Sequence, residues 1–242
     1  MAFVLAGHNG SGKSTLWKTR LSDRLRIPLI NADRLTLSIL PEPDRKRQLP
    51  MWAQRLRDED ERWQGLSQAS AKALTYLVME KRMPFAFETV FSHWHRNPDG
   101  SYQSKADLIV ELQAKGYFVV LLFVGLASAD ISIGRVRQRL ERGGHDVPVD
   151  KLVSRYPRTQ MAVGHAAPIA DMTVMFDNSF DAKRAFSLVR VQTGSQVLFD
   201  CRDVAFKVDP ALRAVARTWM DKVVLFARHR GVVSGRRARL QK

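Results

Sequence analysis

The sequence predicts an α/β fold, with a parallel β-sheet flanked by helices and followed by a C-terminal β-hairpin and helix. A short apolar strand at residues 3–6 runs directly into a glycine-rich loop and a helical segment. Further apolar runs at 85–87, 117–124 and 172–176 alternate with helical patterns, which favours parallel strands joined by right-handed crossovers. Two strand-like segments, at 186–192 and 196–206, then flank the turn at 193–195 and predict the hairpin.

The glycine-rich loop is the strongest motif, because it has the spacing G-x-x-x-x-G-K-S between a strand and a helix, as in a Walker A phosphate loop. Its glycines allow backbone N–H groups to surround a phosphate, and the following helix adds its positive N-terminal end. Lys13 would reach the β- and γ-phosphates, and the Ser14 hydroxyl would bind Mg²⁺. The loop therefore predicts a nucleoside triphosphate site. Its residues are Gly7, His8, Asn9, Gly10, Ser11, Gly12, Lys13, Ser14 and Thr15.

Acidic residues follow two of the other predicted strands. Asp33 comes just after a strand at 28–31, which we expect to neighbour the phosphate-loop strand, and Glu88 follows the strand at 85–87. Ligands of open α/β sheets bind at this carboxyl edge, where a carboxylate could accept the proton of an attacking hydroxyl. The alternatives are a helix N-cap for Asp33 and a surface acid for Glu88.

Arginines cluster on a predicted helix at 128–142 and on a second helix that we expect to stop before Pro157. They could form a solvated basic face, or a lid whose guanidinium groups clamp the β- and γ-phosphates. The glycine pair at 143–144 and Pro148 suit a segment that must close, so we expect a lid at about 135–158. The cluster comprises Arg135, Arg139, Arg142, Arg155 and Arg158.

Three further segments have simpler interpretations. The helix at 67–82 places Ala69, Ala73, Leu74, Leu77 and Val78 at helical spacing, which predicts a core face rather than a cofactor contact. The segment 90–103 is predicted to be a loop. Its His93 and His95 have no carboxylate or cysteine at ligand spacing, which favours a substrate-side loop over a zinc site. His145 is predicted to be a turn or capping residue.

The 242-residue chain is basic, with 39 Lys and Arg against 24 Asp and Glu and a net charge of +15. Six of the basic residues lie in the tail 228–242, so the body still carries +9. An anionic small molecule, a nucleic acid or an acidic protein partner would each fit this charge. We expect no transmembrane helix and no secretory signal, and the single cysteine, Cys201, fits a cytoplasmic protein.

The domain prediction follows from these segments. We expect residues 1–185 to form the core, 186–227 to add a hairpin and helix to the same domain, and 228–242 to be a disordered basic tail. The last helix could touch a membrane or a nucleic acid, but its apolar face more simply packs on the sheet. That face comprises Leu212, Val215, Ala216, Trp219, Val223 and Phe226.

Taken together, the motifs resemble those of the zeta toxin family of P-loop kinases. The matching segments cover residues 1 to about 176 in the family's order. They are Gly-His-Asn-Gly-Ser-Gly-Lys-Ser-Thr at 7–15, Asn-Ala-Asp at 31–33, Phe-Glu-Thr at 87–89 with Ser92, and Arg139 through Gly-Gly-His-Asp-Val-Pro at 143–148 to Arg155-Tyr156. The segment 90–103 and the chain after residue 186 have no counterpart in this pattern.

The resemblance implies a nucleotide-kinase-like sheet and ATP-dependent phosphorylation of the 3′-hydroxyl of the amino sugar in UDP-N-acetylglucosamine. It implies Asp33 as general base, Lys13 and Ser14 as anchors of phosphate and Mg²⁺, and substrate contacts from Asn31, Glu88, Thr89 and Ser92. Two lid arginines would contact ATP, Arg139 and Arg155 in the best alignment, with Arg142 and Arg158 as the alternatives.

Three other functions stay open at the level of sequence. The acceptor could be a ribose hydroxyl of NAD or of another nucleotide. The net charge and the tail also fit a nucleic-acid end kinase or an ATP-regulated nucleic-acid-binding protein, which we favour less. An antitoxin that blocks the ATP site is a further expected partner.

Overall fold

The computed structural model describes residues 1–45, 48–144 and 146–228, with side chains to residue 223. The strands are β1 (Ala2–Gly7), β2 (Leu29–Ile30), β3 (Phe85–Thr89), β4 (Trp94–Arg96), β5 (Tyr102–Ser104), β6 (Val119–Gly125), β7 (Met172–Asp177), β8 (Ser187–Thr193) and β9 (Gln196–Asp200). The helices are α1 (Lys13–Leu16), α2 (Ser22–Leu25), α3 (Ala32–Leu37), α4 (Met51–Glu59), α5 (Glu61–Glu80), α6 (Ala106–Ala114), α7 (Ala129–Glu141), α8 (Val149–Ala166) and α9 (Pro210–Arg228). A π-helical segment, Trp17–Leu21, joins α1 to α2.

Seven strands of the described chain form one sheet in the order β2-β3-β1-β6-β7-β8-β9. The first five run parallel, and β8 and then β9 join the sheet by antiparallel pairing, so the predicted α/β class with a C-terminal hairpin is confirmed. The expectation that β2 neighbours the phosphate-loop strand is wrong, because β3 pairs with both and lies between them. Glu88, at the end of β3, is therefore nearer to the phosphate loop than the residues that follow β2.

Helices cover both faces of the sheet, as the alternation of side chains along β1 requires. Val4 and Ala6 face a core shared with α5, α6, α8 and α9, whereas Leu5 faces a core that contains Trp17 of the π-helical segment. The lid elements have a small core of their own, formed by Val136, Val147 and Leu152. The phosphate loop consequently leaves the sheet between two packed layers.

The buried face of α5 differs from the predicted one. Ala69, Ala73, Leu74 and Leu77 are exposed, and of the predicted set only Val78 is buried. The helix instead turns Ser67, Ala71, Thr75, Val78 and Met79 inward. The Ser67 hydroxyl donates to Thr36 Oγ1 and the Thr75 hydroxyl to the Ala71 carbonyl, so both polar side chains are hydrogen-bonded although they are buried. Hydrophobic periodicity alone could not identify a buried face that contains such residues.

The helix α8 also departs from prediction, since it continues through Pro157 to Ala166 instead of ending there. A proline inside a helix removes one hydrogen bond and costs about 3 kcal/mol. Buried residues on both sides of it, among them Leu152, Tyr156 and Gln160, offset that cost by packing. One continuous helix therefore connects the lid to the core.

Two further segments differ from prediction, and the last helix agrees with it. The segment predicted as a loop at 90–103 contains the antiparallel hairpin β4–β5, and β9 ends at Asp200, well before the predicted end at residue 206. The last helix buries Ala216, Trp219 and Val223 on the sheet as predicted. The predictions for His145, for the side chain of Phe226 and for residues 229–242 of the tail lie outside the described residues. In the described part of the chain, every helix is too short or too polar to cross a membrane.

Candidate active site

The phosphate loop lies between β1 and α1 with two of its glycines in the left-handed region, Gly10 at φ 67° and Gly12 at φ 93°. The Lys13 ammonium is folded over this loop and donates to the carbonyls of Gly7 at 3.2 Å and His8 at 2.9 Å. The loop is therefore closed around its own lysine, the residue that the motif predicts to contact phosphate.

Two side chains from distant parts of the chain hold the loop. Asn178, which follows β7, donates from Nδ2 to the Ser11 carbonyl at 2.8 Å, and Ser132 of α7 donates to the Asn9 carbonyl at 2.7 Å. A Cβ at position 12 would lie 2.7 Å from Asn178 Nδ2 and 3.3 Å from the Phe186 ring, so only glycine fits there. Sequence reasoning missed Asn178 and Ser132, although Asn178 carries the signal used for Asp33 and Glu88: a polar residue just after a strand.

His8 is a buried and neutral part of the loop. Its ring stacks on Tyr156 of α8 with a centroid distance of 4.4 Å, and neither ring nitrogen has a hydrogen-bond partner among the described residues. Burial, helped by the nearby positive charge of Lys13, lowers the pKa of His8 from 6.5 to about 3. His8 thus contributes a ring contact between the loop and the lid helix rather than a charge.

The Ser14 hydroxyl donates to Glu88 Oε1 at 2.7 Å, which links the phosphate loop to the end of β3. The second carboxylate oxygen, Glu88 Oε2, is buried with no hydrogen-bond partner in the described chain. A hydroxyl beside a carboxylate is the hard oxygen donor set that Mg²⁺ prefers, together with phosphate oxygens and water. The pair therefore fits a magnesium ion, and an unpaired buried carboxylate oxygen is costly without one.

Asp33 lies in the first turn of α3 and is exposed to solvent. The predicted alternative, that it caps the helix, is wrong, because Asn31 is the N-cap and its Oδ1 accepts from the Arg34 amide at 3.1 Å. That hydrogen bond also commits the Asn31 side chain, predicted as a substrate contact, to the backbone. The Asp33 carboxylate is therefore exposed and does not cap its own helix.

Asp33 acts electrostatically on three positive charges of the candidate site. Burial lowers the pKa of the Lys13 ammonium, and the carboxylates of Glu88 and Asp33 oppose that shift. Loss of solvation also lowers the pKa of the Arg139 and Arg155 guanidinium groups, and in both cases Asp33 acts in the opposite direction. The charge of Asp33 thus acts on a cation from the phosphate loop, one from α7 and one from α8.

The other lid arginines lie differently. Arg158 donates from Nε to the Ser154 carbonyl at 3.0 Å and from Nη2 to Ser154 Oγ at 3.2 Å, along its own helix. Arg142 lies exposed just beyond the end of α7. Arg135 donates to the Phe180 carbonyl at 3.3 Å, beside the segment that supports Gly12. The charge of Asp33 acts on Arg139 and Arg155, the pair favoured in the alignment.

The predicted acceptor side begins where β3 ends. Thr89 pairs in register with Ala6 of β1, and its hydroxyl oxygen accepts from the Phe91 amide at 3.5 Å. Ser92 follows as a half-buried residue. Thr89 and Ser92 therefore lie on the same sheet edge as Glu88, on the side of the phosphate loop that faces Asp33.

The arrangement has the parts that phosphoryl transfer requires. Cations and loop amides can hold phosphate groups, and a carboxylate lies within their field, where it can orient a hydroxyl and accept its proton. Because phosphoryl transfer requires little covalent chemistry from the protein, positioning and electrostatic stabilisation account for most of the catalysis.

A scan against protein-family models finds no match. An uncharacterized protein of Haemophilus influenzae is 25% identical over 155 residues, which cover 64% of this chain and 91% of that protein.

Two solved structures share the fold across almost the whole chain. A chain from the PezAT chromosomal toxin–antitoxin system of Streptococcus pneumoniae superposes with a TM-score of 0.53 at 12% identity, covering 93% of this chain and 86% of that one. A chain of the AvrRxo1-ORF1:-ORF2 complex with ATP gives 0.58 at 13% identity, covering 96% and 81%. The fold predicted from the resemblance to zeta toxins is confirmed: the chain has the zeta-toxin-like P-loop kinase fold.

Proposed function

We propose that this protein is an ATP-dependent kinase that phosphorylates an alcohol group, with the 3′-hydroxyl of the amino sugar of UDP-N-acetylglucosamine, or of a related UDP-sugar, as its acceptor. The observation that supports the proposal is the electrostatic influence of Asp33, in the first turn of α3, on Lys13, Arg139 and Arg155. A carboxylate whose charge acts on three cations near a phosphate loop suits a base beside a phosphoryl donor.

In the proposed reaction, Asp33 accepts the proton of the acceptor hydroxyl while the oxygen of that hydroxyl forms a bond to the γ-phosphorus of ATP. The bond from that phosphorus to the β,γ-bridging oxygen breaks, and ADP leaves. Lys13 holds the β- and γ-phosphates, and Arg139 and Arg155 stabilise the charge on the transferred group. Ser14 and Glu88 would hold Mg²⁺, which neutralises phosphate charge when bound.

The choice of acceptor rests on the resemblance of Phe-Glu-Thr at 87–89, with Ser92, to the substrate segment of zeta toxins. Glu88 and Thr89 would contact the sugar from the end of β3. The basic balance of the chain, +15, suits a substrate that carries a diphosphate. A ribose hydroxyl of NAD or of another nucleotide is the alternative acceptor within the same mechanism. A 5′- or 3′-end of a nucleic acid is the alternative from another class.

The test is ATP-dependent phosphate transfer to a panel of UDP-sugars, NAD and short oligonucleotides, for the wild type, Asp33→Ala and Asp130→Ala. Asp130 is a matched control, because it is also an exposed aspartate two residues after a helix N-cap, in the sequence Ser128-Ala-Asp. We expect transfer to a UDP-amino sugar that falls roughly 10²–10⁴-fold in Asp33→Ala, the usual cost of losing a general base, and stays near wild type in Asp130→Ala.

The outcomes separate the parts of the proposal. Transfer to NAD instead of a UDP-sugar would keep the mechanism and replace the acceptor. Equal turnover of the Asp33→Ala variant and the wild type would remove Asp33 from the role of base. An absence of transfer to every acceptor, with oligonucleotide binding that weakens steeply as salt rises, would favour the nucleic-acid alternative.

We propose an antitoxin as the protein partner. The likeness to the PezAT system supports it, as does a basic body that suits a small acidic protein. The experiment is growth of a bacterial host that expresses the wild type, Asp33→Ala, or the wild type together with a small acidic reading frame adjacent to the gene. We expect growth arrest only with the wild type alone. Normal growth in all three cultures would contradict a toxic activity.

A further inference from the structure

We propose that Arg57 is a positioning residue for the phosphoryl-transfer site: it holds the lid turn, residues 143–144, and through that turn it places Arg139 beside Asp33. The inference rests on the proposed function, since it assigns the support of a guanidinium that the proposal uses. Arg57 belongs to α4, outside every motif from which the site was predicted, and 82 residues before Arg139 in the chain.

The guanidinium of Arg57 donates four hydrogen bonds. From Nη1 it donates to the Gly143 carbonyl at 3.1 Å, and from Nη2 to the Gly144 carbonyl at 3.2 Å. Its Nε and Nη2 form a two-point pair with the carboxylate of Asp58, both at 2.7 Å. Only 9% of the side chain is exposed. A buried arginine held by a paired carboxylate is preorganised to bind two neighbouring carbonyls at a fixed distance.

The lid turn packs directly on Arg139. The Gly144 amide donates to the Arg139 carbonyl at 2.9 Å. A Cβ at position 144 would overlap Cγ of Arg139 and lie 3.1 Å from its Cδ. The turn therefore presses on the aliphatic stem of Arg139, and a displacement of the turn would move the guanidinium at the end of that stem.

Arg57 also connects two sides of the cleft. Helix α3, which carries Asp33, packs on α5, and so does α4, which carries Arg57. Arg139 comes from α7, on the lid side. The hydrogen bonds from Arg57 to residues 143–144 therefore fix the lid side relative to the side that holds the base. Arg57 and Asp58 act in opposite directions on the pKa of Arg139. We therefore assign Arg57 the role of positioning Arg139, not of adding positive charge to the site.

The test compares Arg57→Ala, Arg57→Lys, Arg139→Ala and the double variant of Arg57 and Arg139, with Arg202→Ala as a matched control. Arg202 is also a largely buried arginine in a two-point pair, with Asp200, and belongs to the far edge of the sheet. The readouts are kcat and KM for ATP in the transfer assay, and hydrogen exchange of the Gly143 and Gly144 amides.

We expect Arg57→Ala to lower kcat about 10²-fold, the scale of a misplaced catalytic group, and to speed exchange at residues 143–144. Arg57→Lys should not restore kcat, because an ammonium cannot bind a carboxylate and two carbonyls in one plane. In the Arg139→Ala background, loss of Arg57 should change kcat by less than about twofold, since both act through one contact. Arg202→Ala should leave kcat and the exchange at residues 143–144 unchanged.

Independent losses that multiply in the double variant would overturn the inference, as would full rescue by lysine. Should Arg57→Ala fold poorly, Gly144→Ala tests the same step with Arg57 intact, because its methyl group displaces the Arg139 stem. A wild type that transfers phosphate to no acceptor refutes the proposed function instead. In that case, unchanged exchange in Arg57→Ala would refute the hold on the lid turn, and faster exchange would support it.

Discussion

His8 should make the stability of this protein depend on pH in a range where few groups titrate. The ring is 3% exposed, stacks on Tyr156 at 4.4 Å and meets the edge of Phe123 at 5.9 Å. Neither nitrogen has a hydrogen-bond partner among the described residues, so a proton gained there would create an uncompensated buried charge beside Lys13. The folded state therefore excludes that proton, whereas the unfolded chain accepts it.

The magnitude follows from the two pKa values of His8, 6.5 when unfolded and about 3 when folded. Above pH 6.5 the His8 ring is neutral in both the folded and the unfolded state, so it adds no pH dependence to the free energy of unfolding. As pH falls below 6.5, the unfolded chain binds a proton that the folded chain does not, so the free energy of unfolding decreases by about 1.4 kcal/mol per pH unit. Between pH 7 and pH 5 the loss is about 2 kcal/mol from this residue alone.

The assay is urea unfolding at intervals from pH 7 to pH 5 for the wild type, His8→Gln and His95→Gln. His95 is exposed on the β4–β5 hairpin and serves as the control. The curve of His8→Gln should be flatter than that of the wild type by about 2 kcal/mol over this range, whatever its constant offset. His95→Gln should run parallel to the wild type. Parallel curves for all three proteins would refute a buried neutral His8.

Two further changes test the packing behind the phosphate loop by urea unfolding. A methyl group at Gly125 would lie 2.5–2.7 Å from the ring of the buried Trp219, so Gly125→Ala should destabilise the fold by about 1–3 kcal/mol. The control is Gly65→Ala in a helix, where a methyl group would have nothing within 4 Å, and it should stabilise the fold by about 0.5–1 kcal/mol. Trp219→Phe removes the 2.8 Å donor to the buried carboxylate of Asp177 and should cost at least about 1.5–3 kcal/mol; a loss below about 0.5 kcal/mol would mean that the carboxylate does not depend on this bond.

Features that depend on local pattern were predictable from the sequence. The phosphate loop follows an apolar strand and opens a helix, and both candidate carboxylates come directly after short apolar runs. Because parallel strands end at the same sheet edge, Asp33 and Glu88 could be expected on one side of the fold before any strand was paired. The hairpin and the last helix were likewise identified from turn residues and from an apolar face.

Features that depend on long-range contacts were not predictable. The place of β3 between β1 and β2 follows from strand pairing, which no local signal encodes. The Asn178 amide reaches Ser11 across 167 residues, and Arg57 reaches Gly143 across 86. Local pattern places Asn178 after a strand and assigns Arg57 to the surface, and only the folded neighbourhood shows what each side chain holds.

The C-terminal part of the chain lies outside the family motifs but supports the phosphate loop. Strand β8 pairs with β7, and Trp219 of α9 packs against Gly125 at the end of β6 and donates to Asp177 at the end of β7. The next residue, Asn178, holds the loop through the Ser11 carbonyl. A chain that stopped at residue 185 would expose the edge of β7 and leave the Asp177 carboxylate without its indole partner. The hairpin and last helix therefore stabilise the strand end from which the nucleotide loop is held.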